Sequence, residues 1–186
     1  MEKAYKFRIY PNKTQECLLQ KTFGCVRFIY NHFLEERINE YEKTGRTLTC
    51  YEQIKEIPEL CKDYPWLKEV DSCSLRAAVF NLENAYHRFF SQNNGFPKFK
   101  NKDTGNSYKT NNIKNTYKDK NYGSIRVDLK NRTITLPKLK EVPIRGYRNK
   151  KGFVGNIKSA VIRREGLKYY VSVLVEEPLI LPPFQP

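Results

Sequence analysis

Apolar and polar residues alternate at the start of the chain. Tyr5, Phe7 and Ile9 fall on one side of an extended segment and Lys6, Arg8 and Tyr10 on the other. That period of two predicts a strand with one buried face and one face toward solvent or ligand. Pro11 ends it, and the period then changes. Asn12 followed by Gln15 reads as a capping box, after which Leu18, Leu19, Phe23, Val26, Ile29, Tyr30, Phe33, Leu34, Ile38 and Tyr41 recur near helical spacing until Gly45. A long amphipathic helix is predicted, with Gly24 as the point where it would break. A second helix opens at Thr49 and runs through Ile54 and Ile57; Pro58 is expected to interrupt it, and Asp63-Tyr64-Pro65-Trp66 to form a tight connection that buries Trp66. Asp71 or Ser72 caps a third helix whose stripe of Leu75, Val79, Leu82, Ala85, Tyr86, Phe89 and Phe90 stops at Asn93-Asn94-Gly95.

Beyond this point the pattern belongs to strands. Ser124–Leu129 and Arg132–Leu136 flank a turn at Lys130-Asn131, and Val142–Arg145 lies among prolines and glycines. Ile157–Arg164 and Lys168–Val175 form a hairpin about Glu165-Gly166, in which Tyr169, Val171, Val173 and Val175 alternate with Tyr170, Ser172 and Leu174. Four or five short strands leave exposed edges, and the isolated first strand is suited to pair with one of them. The expected fold is α+β: an antiparallel sheet or barrel with three helices inserted after its first strand.

Charge changes the picture. Residues 98–168 hold 20 Lys and Arg against 5 Asp and Glu, whereas residues 1–97 hold 14 against 13 and the last 18 carry −2. A field of +15 on one segment works against a compact state, and a polyanion that neutralises it is the best explanation. Nucleic acid is the leading partner. Tyr, Phe, Ile and Val threaded through the same segment argue against a disordered tail, and 39% apolar residues suffice for a core. The start of the chain has no apolar stretch of signal-peptide type and no run is long enough to span a bilayer, so a soluble, cytoplasmic protein without a membrane partner is expected. Five cysteines, Cys17, Cys25, Cys50, Cys61 and Cys73, show neither C-x-x-C spacing nor a histidine at ligand spacing; no disulfide framework, metal or cofactor is indicated. His32 and His87 lie on predicted helices without an evident base, nucleophile or metal partner.

A set of short segments in order carries a resemblance: Lys6-Phe7-Arg8-Ile9-Tyr10-Pro11-Asn12, Gly24 through Tyr30-Asn31-His32-Phe33-Leu34, Tyr64-Pro65-Trp66-Leu67, Ala85-Tyr86 with Phe89-Phe90, and Gly95-Phe96-Pro97-Lys98-Phe99-Lys100. Ser107-Tyr108-Lys109-Thr110, Leu136-Pro137-Lys138-Leu139 and Tyr169 to Val175 follow in the same order. Together they resemble the N-terminal half of TnpB, the RNA-guided nuclease encoded by small bacterial insertion sequences and a relative of type V CRISPR effectors. The resemblance implies a wedge-like (OB-like) β-barrel over residues 1–11 and 107–177, a helical recognition lobe of helix-turn-helix type over 12–97, a basic linker over 98–106 and a Pro-rich tail over 178–186. It further implies that this half grips a guide RNA and reads a short duplex motif, and that a RuvC-like (RNase-H-like) nuclease half follows it.

Here the chain departs from the pattern. After Val175 it offers Glu176-Glu177-Pro178 and a Pro-rich stretch, not the G-[IV]-D-x-G strand that brings the first metal-binding Asp, and it carries no zinc-ribbon cysteines. Phosphodiester hydrolysis of this kind needs carboxylates that hold one or two divalent ions. A non-catalytic module is therefore expected, binding RNA and double-stranded DNA. Three alternatives stand beside it: a dimeric helix-turn-helix regulator, one half of a split nuclease whose other half is encoded separately, and a decayed transposon fragment that folds without a selected role.

Under the binding reading, Lys98, Lys100, Lys102, Lys109, Lys114, Lys118, Lys120, Arg126, Arg145, Arg148, Lys150, Lys151, Arg163 and Arg164 supply phosphate contacts. Ser72 and Arg76, four apart at the start of the third helix, share a face; they are either a base-reading pair beside a phosphate-binding helix N-terminus, or a cap and a solvated charge. Cys50, Tyr51, Thr110 and Asn111 match the family's other duplex contacts. Tyr108, Tyr117 and Tyr122, interleaved with Lys and Asn, either stack on unpaired bases or anchor packing.

Overall fold

A computed structural model of the chain describes residues 1–117, 120–146 and 155–178. The alternating start forms β1 (Glu2–Ile9), and the long periodic segment forms α1 (Lys13–Thr44), continuous through Gly24. Its caps follow the expected chemistry. Asn12 and Gln15 exchange side-chain and backbone hydrogen bonds at the start, and Gly45, at φ 71°, closes the end by donating its N–H to the Tyr41 carbonyl.

Then come α2 (Cys50–Asp63), a 3₁₀ turn at Pro65–Glu69, and α3 (Ser72–Gln92). Pro58 does not interrupt α2. Its ring removes one helical hydrogen bond, a cost of roughly 3 kcal/mol. Against that loss, Gln53, Ile57 and Leu60 lie on one face of the helix and are all buried. Trp66 is also placed otherwise than expected: it is 39% exposed, edge-on to Phe28 with centroids 5.0 Å apart.

By its internal packing the chain divides into two units, Asn12–Thr110 and Met1–Pro11 with the chain from Asn111 onward. In the helical unit, Leu19, Phe23, Val26, Ile29, Phe33 and Leu34 of α1 are buried, as are Leu75, Ala78, Val79 and Leu82 of α3. One polar node is buried among the helices. Arg37 donates from Nε to Gln53 Oε1 at 2.8 Å, while Gln53 donates from Nε2 to the Phe33 carbonyl and to Glu36. Arg37 Nη2 lies 2.8 Å from Glu83 Oε2, an ion pair set off the hydrogen-bonding angle, and the guanidinium stands 5.1 Å from the Tyr86 ring centre.

The remaining strands are β2 (Ser107–Asn111), β3 (Lys114–Tyr117), β4 (Lys120–Gly123), β5 (Arg126–Asp128), β6 (Thr133–Leu136), β7 (Lys140–Arg145), β8 (Asn156–Glu165) and β9 (Lys168–Glu176). Seven of the strands form a sheet in the order β2-β8-β9-β1-β7-β6-β5; β3 and β4 make a separate antiparallel ribbon where the sequence showed little strand pattern. The expected barrel is corrected to an open sheet. No pairing joins β2 to β5 among the described residues, and β5 and β6, at three and four residues, are short for the staggered pairing that closure demands. β1 pairs with β9 along its length but with β7 only at Arg8–Arg145 and Ile9–Ile144. Phe7, Ile9, Ile134, Leu136, Val142, Ile144, Ala160, Ile162, Val171 and Val173 build the core on one side of this sheet.

Candidate nucleic-acid interface

In the helical unit, Asp71 caps α3 by accepting from the Cys73 N–H at 3.2 Å, and the Thr110 hydroxyl donates to its other carboxylate oxygen at 2.6 Å. Thr110 is therefore buried and spent on the cap. The cap also alters the expected phosphate site, because a carboxylate already sits at the positive end of the helix. What α3 offers outward is side chains. Ser72, Arg76 and Phe80 are exposed on successive turns of one face, and Tyr51, 66% exposed in the first turn of α2, meets Phe80 edge-on at 6.1 Å. Cys50, one residue before Tyr51, is buried, and burial raises its thiol pKa.

Tyr108 is buried against Phe23, ring centres 5.9 Å apart, and burial drives its phenol pKa upward. The side chain packs. Lys109, between the buried Tyr108 and Thr110, is exposed because strand alternation points it the other way. Lys100 is held rather than free. Its N–H donates to Asn31 Oδ1 at 2.8 Å, its carbonyl accepts from Asn31 Nδ2 at 2.9 Å, and its Nζ rests 3.9 Å from the Tyr30 ring centre. Burial lowers its pKa. Lys98 and Lys102 on either side are exposed.

In the sheet unit, alternation separates two neighbours. Arg163 faces solvent opposite Tyr170, whereas Arg164 lies opposite the buried Tyr169 and donates to the Gly166 carbonyl at 2.8 Å. Arg145 is exposed on β7 directly opposite Arg8, and both guanidiniums lie on the Tyr10 ring, at 5.3 and 4.8 Å from its centre. Tyr10 is fixed there by its N–H bond to the Pro143 carbonyl at 2.9 Å. Arg126 is exposed on β5 opposite Thr135, and Asn111 is exposed at the end of β2. Lys114 and Lys120 lie on the β3–β4 ribbon. Lys118, Arg148, Lys150 and Lys151 lie outside the described residues.

Lys6, Arg8, Tyr10 and Tyr170 were not among the sequence-based contacts. The signal was present in the alternation of β1, but the near-neutral charge of residues 1–97 hid it. Among the described residues, no three His, Cys, Asp or Glu side chains stand where they could hold a metal ion, and no helix is long and apolar enough to cross a membrane.

Comparison with known proteins adds the lineage. A family model described as a helix-turn-helix domain (HTH_OrfB_IS605) matches residues 1–46, which here form β1 and the single helix α1. The chain is 28% identical over 185 residues to InsQ of Escherichia coli (strain K12), named as a candidate RNA-guided DNA endonuclease, covering 96% of this chain and 42% of InsQ. It is 32% identical over 102 residues to a candidate RNA-guided DNA endonuclease of Streptomyces pristinaespiralis, covering 54% of this chain and 25% of that protein. Virulence protein VsdF of Salmonella dublin is 36% identical over 113 residues, 55% of this chain and 95% of VsdF. A chain in the cryo-EM structure of the Cas12f1-sgRNA-target DNA complex is similar with a TM-score of 0.48 at 12% identity, over 96% of this chain and 49% of that one. The chain thus spans less than half the length of either endonuclease relative. The helix-turn-helix family model and the sequence relatives show homology to TnpB-type, transposon-associated proteins, and the chain matches the N-terminal part of them.

Proposed function

We propose that this chain is a nucleic-acid-binding module that holds a guide RNA and reads a short duplex DNA motif without cutting either. The observation that carries the reading is the +15 charge of residues 98–168, together with arginines on the sheet that no carboxylate neutralises among the described residues. Phosphates would take the place of the absent counter-charges, releasing condensed ions and making binding salt-dependent. Motif reading falls to Arg76, whose guanidinium can contact a guanine edge bidentately, flanked by Ser72, Tyr51 and Phe80. Thr110, Cys50 and Tyr108 act in this reading as supports, through the cap and the packing.

Fluorescence anisotropy of labelled structured RNA and duplex DNA against the full chain, over a range of salt, tests the proposal. Affinity should fall steeply between low and physiological salt. A flat response rejects it. The split-nuclease alternative predicts co-purification with a second polypeptide and metal-dependent cleavage, and either result would replace the non-catalytic reading. The regulator alternative predicts binding to a palindromic duplex without RNA; the single helix within residues 1–46 gives it no paired helices there.

A further inference from the structure

β-pairing brings together residues that are far apart in sequence. Arg163 of β8 stands opposite Tyr170 of β9, Tyr170 opposite Arg8 of β1, and Arg8 opposite Arg145 of β7. The four form one straight row across four adjacent strands on the solvent side of the sheet. Their neighbours Phe7, Ile9, Ile162 and Val171 point into the core, so the row cannot turn inward without a register slip that would expose those apolar side chains. With strands about 4.8 Å apart, the row is roughly 14 Å long.

Aromatic rings lie against the cations. Arg8 and Arg145 both rest on Tyr10, and Lys6 Nζ lies 4.4 Å from the Tyr170 ring centre. A guanidinium stacked on a ring keeps its in-plane N–H groups free for phosphate oxygens, and its plane can also take a base. Among the described residues, none of Arg8, Arg145 and Arg163 forms an ion pair. Glu165 closes on this end of the row, paired with Lys6 at 3.3 Å. Lys6, Arg163, Glu165 and Tyr170 line a shallow depression of about 300 Å³ beside the row.

We propose that this row, with Tyr10, is a binding track for a single-stranded polynucleotide lying across the strands, its phosphates on the three arginines and its bases on the exposed guanidinium planes. Unpaired bases are required, because a duplex hides its base faces and the row lies across paired strands of the sheet, not on a helix or ribbon that could enter a groove. The inference rests on the module reading above and gives it a specific surface.

The test uses the full chain with fluorescein-labelled 15-mers of oligo(U), oligo(dT) and a mixed-sequence duplex. Arg8→Gln/Arg145→Gln/Arg163→Gln should weaken oligo(U) binding at least tenfold and lower the salt slope by about 2, at about 0.7 for each phosphate lost. A charge-matched variant of the helical unit, Lys43→Ala/Lys55→Ala/Lys68→Ala, should change affinity less than twofold. Glu165→Gln, which leaves the arginines in place, should tighten binding severalfold, and this arm serves should the triple variant not fold. Comparing oligo(U) with oligo(dT) tells whether the strand is RNA or DNA. Equal losses in the two triple variants, or no gain with Glu165→Gln, overturn the track while leaving the module reading intact. A wild-type chain that ignores every oligonucleotide at physiological salt overturns both.

Discussion

Replacing Arg37 by Met tests whether the helical unit is held by its buried polar node as much as by its apolar core. Arg37 is 4% exposed and links three helices: it reaches Gln53 on α2, Glu83 on α3 and the ring of Tyr86. Methionine keeps the buried stem but removes the charge. Gln53, fully buried, would lose the donor to its Oε1, a charge-assisted bond worth about 1.5–3 kcal/mol. Glu83 is 44% exposed and would be resolvated by water, so its share is nearer that of a surface pair, about 0–1 kcal/mol. Lost contact with Tyr86 adds about 0.5–1 kcal/mol. A total near 3 kcal/mol is expected, a large part of the stability of a small domain. The chain's sole tryptophan, Trp66, lies in this unit, so urea denaturation followed by its fluorescence reads the effect directly. The Arg37→Met/Gln53→Met double variant should recover part of the loss, since it also removes the Gln53 Oε1 that the single variant leaves without its donor. A single-variant loss under 1 kcal/mol at unchanged denaturant slope would refute the reasoning.

Further outcomes follow from other sites. Burial beside Glu36 raises the Glu56 carboxyl to about 7; the folded state then holds a proton that the unfolded state releases near pH 4.5, so stability of the helical unit should fall as pH rises from about 4.5 to 7, and Glu56→Gln should flatten that slope in denaturation at pH 5.5 and 7.5. Asn31→Ala releases both backbone groups of Lys100 and should cost about 1–3 kcal/mol, seen as faster proteolysis within residues 98–106. Gly155→Ala would set a Cβ 2.3 Å from the Glu176 carbonyl oxygen at φ 153°, so thermal melting should drop by several degrees. Arg76→Ala should leave overall duplex affinity within a fewfold yet relax preference at one base pair by about 1–3 kcal/mol in a binding-site selection assay, and unchanged preference would remove Arg76 as the reader.

Local chemistry was legible from the sequence, and pairing across the chain was not. Asn12, Gln15, Gly45, Thr49 and Asp71 announced their helix ends because capping depends on residues within one turn. The alternation of Lys168–Val175 gave its strand and its buried face together. Pro58 misled because a local penalty was weighed without the burial of Ile57 and Leu60 that offsets it. The β3–β4 ribbon escaped because its Asn- and Lys-rich segments lack an apolar face, so only backbone pairing defines it. On the sheet, counting charge by segment singled out Arg145 and Arg163 but passed over Arg8, which stands between Tyr170 and Arg145 once the strands pair. Burial, in turn, withdrew Cys50, Tyr108 and Thr110 from the surface, which composition alone could not foresee.

The place of β1 between β9 and β7 has a consequence for synthesis on the ribosome. β1 emerges well before β7 and β9, which flank it, so it must wait, unpaired and with Phe7 and Ile9 uncovered, while more than a hundred further residues are made. The helices, whose partners lie within residues 12–110, can assemble during that interval. Completion of the sheet is thereby tied to β9 leaving the exit tunnel, and a nascent chain stalled before Lys168 would carry a finished helical body and a sticky, unmatched β1.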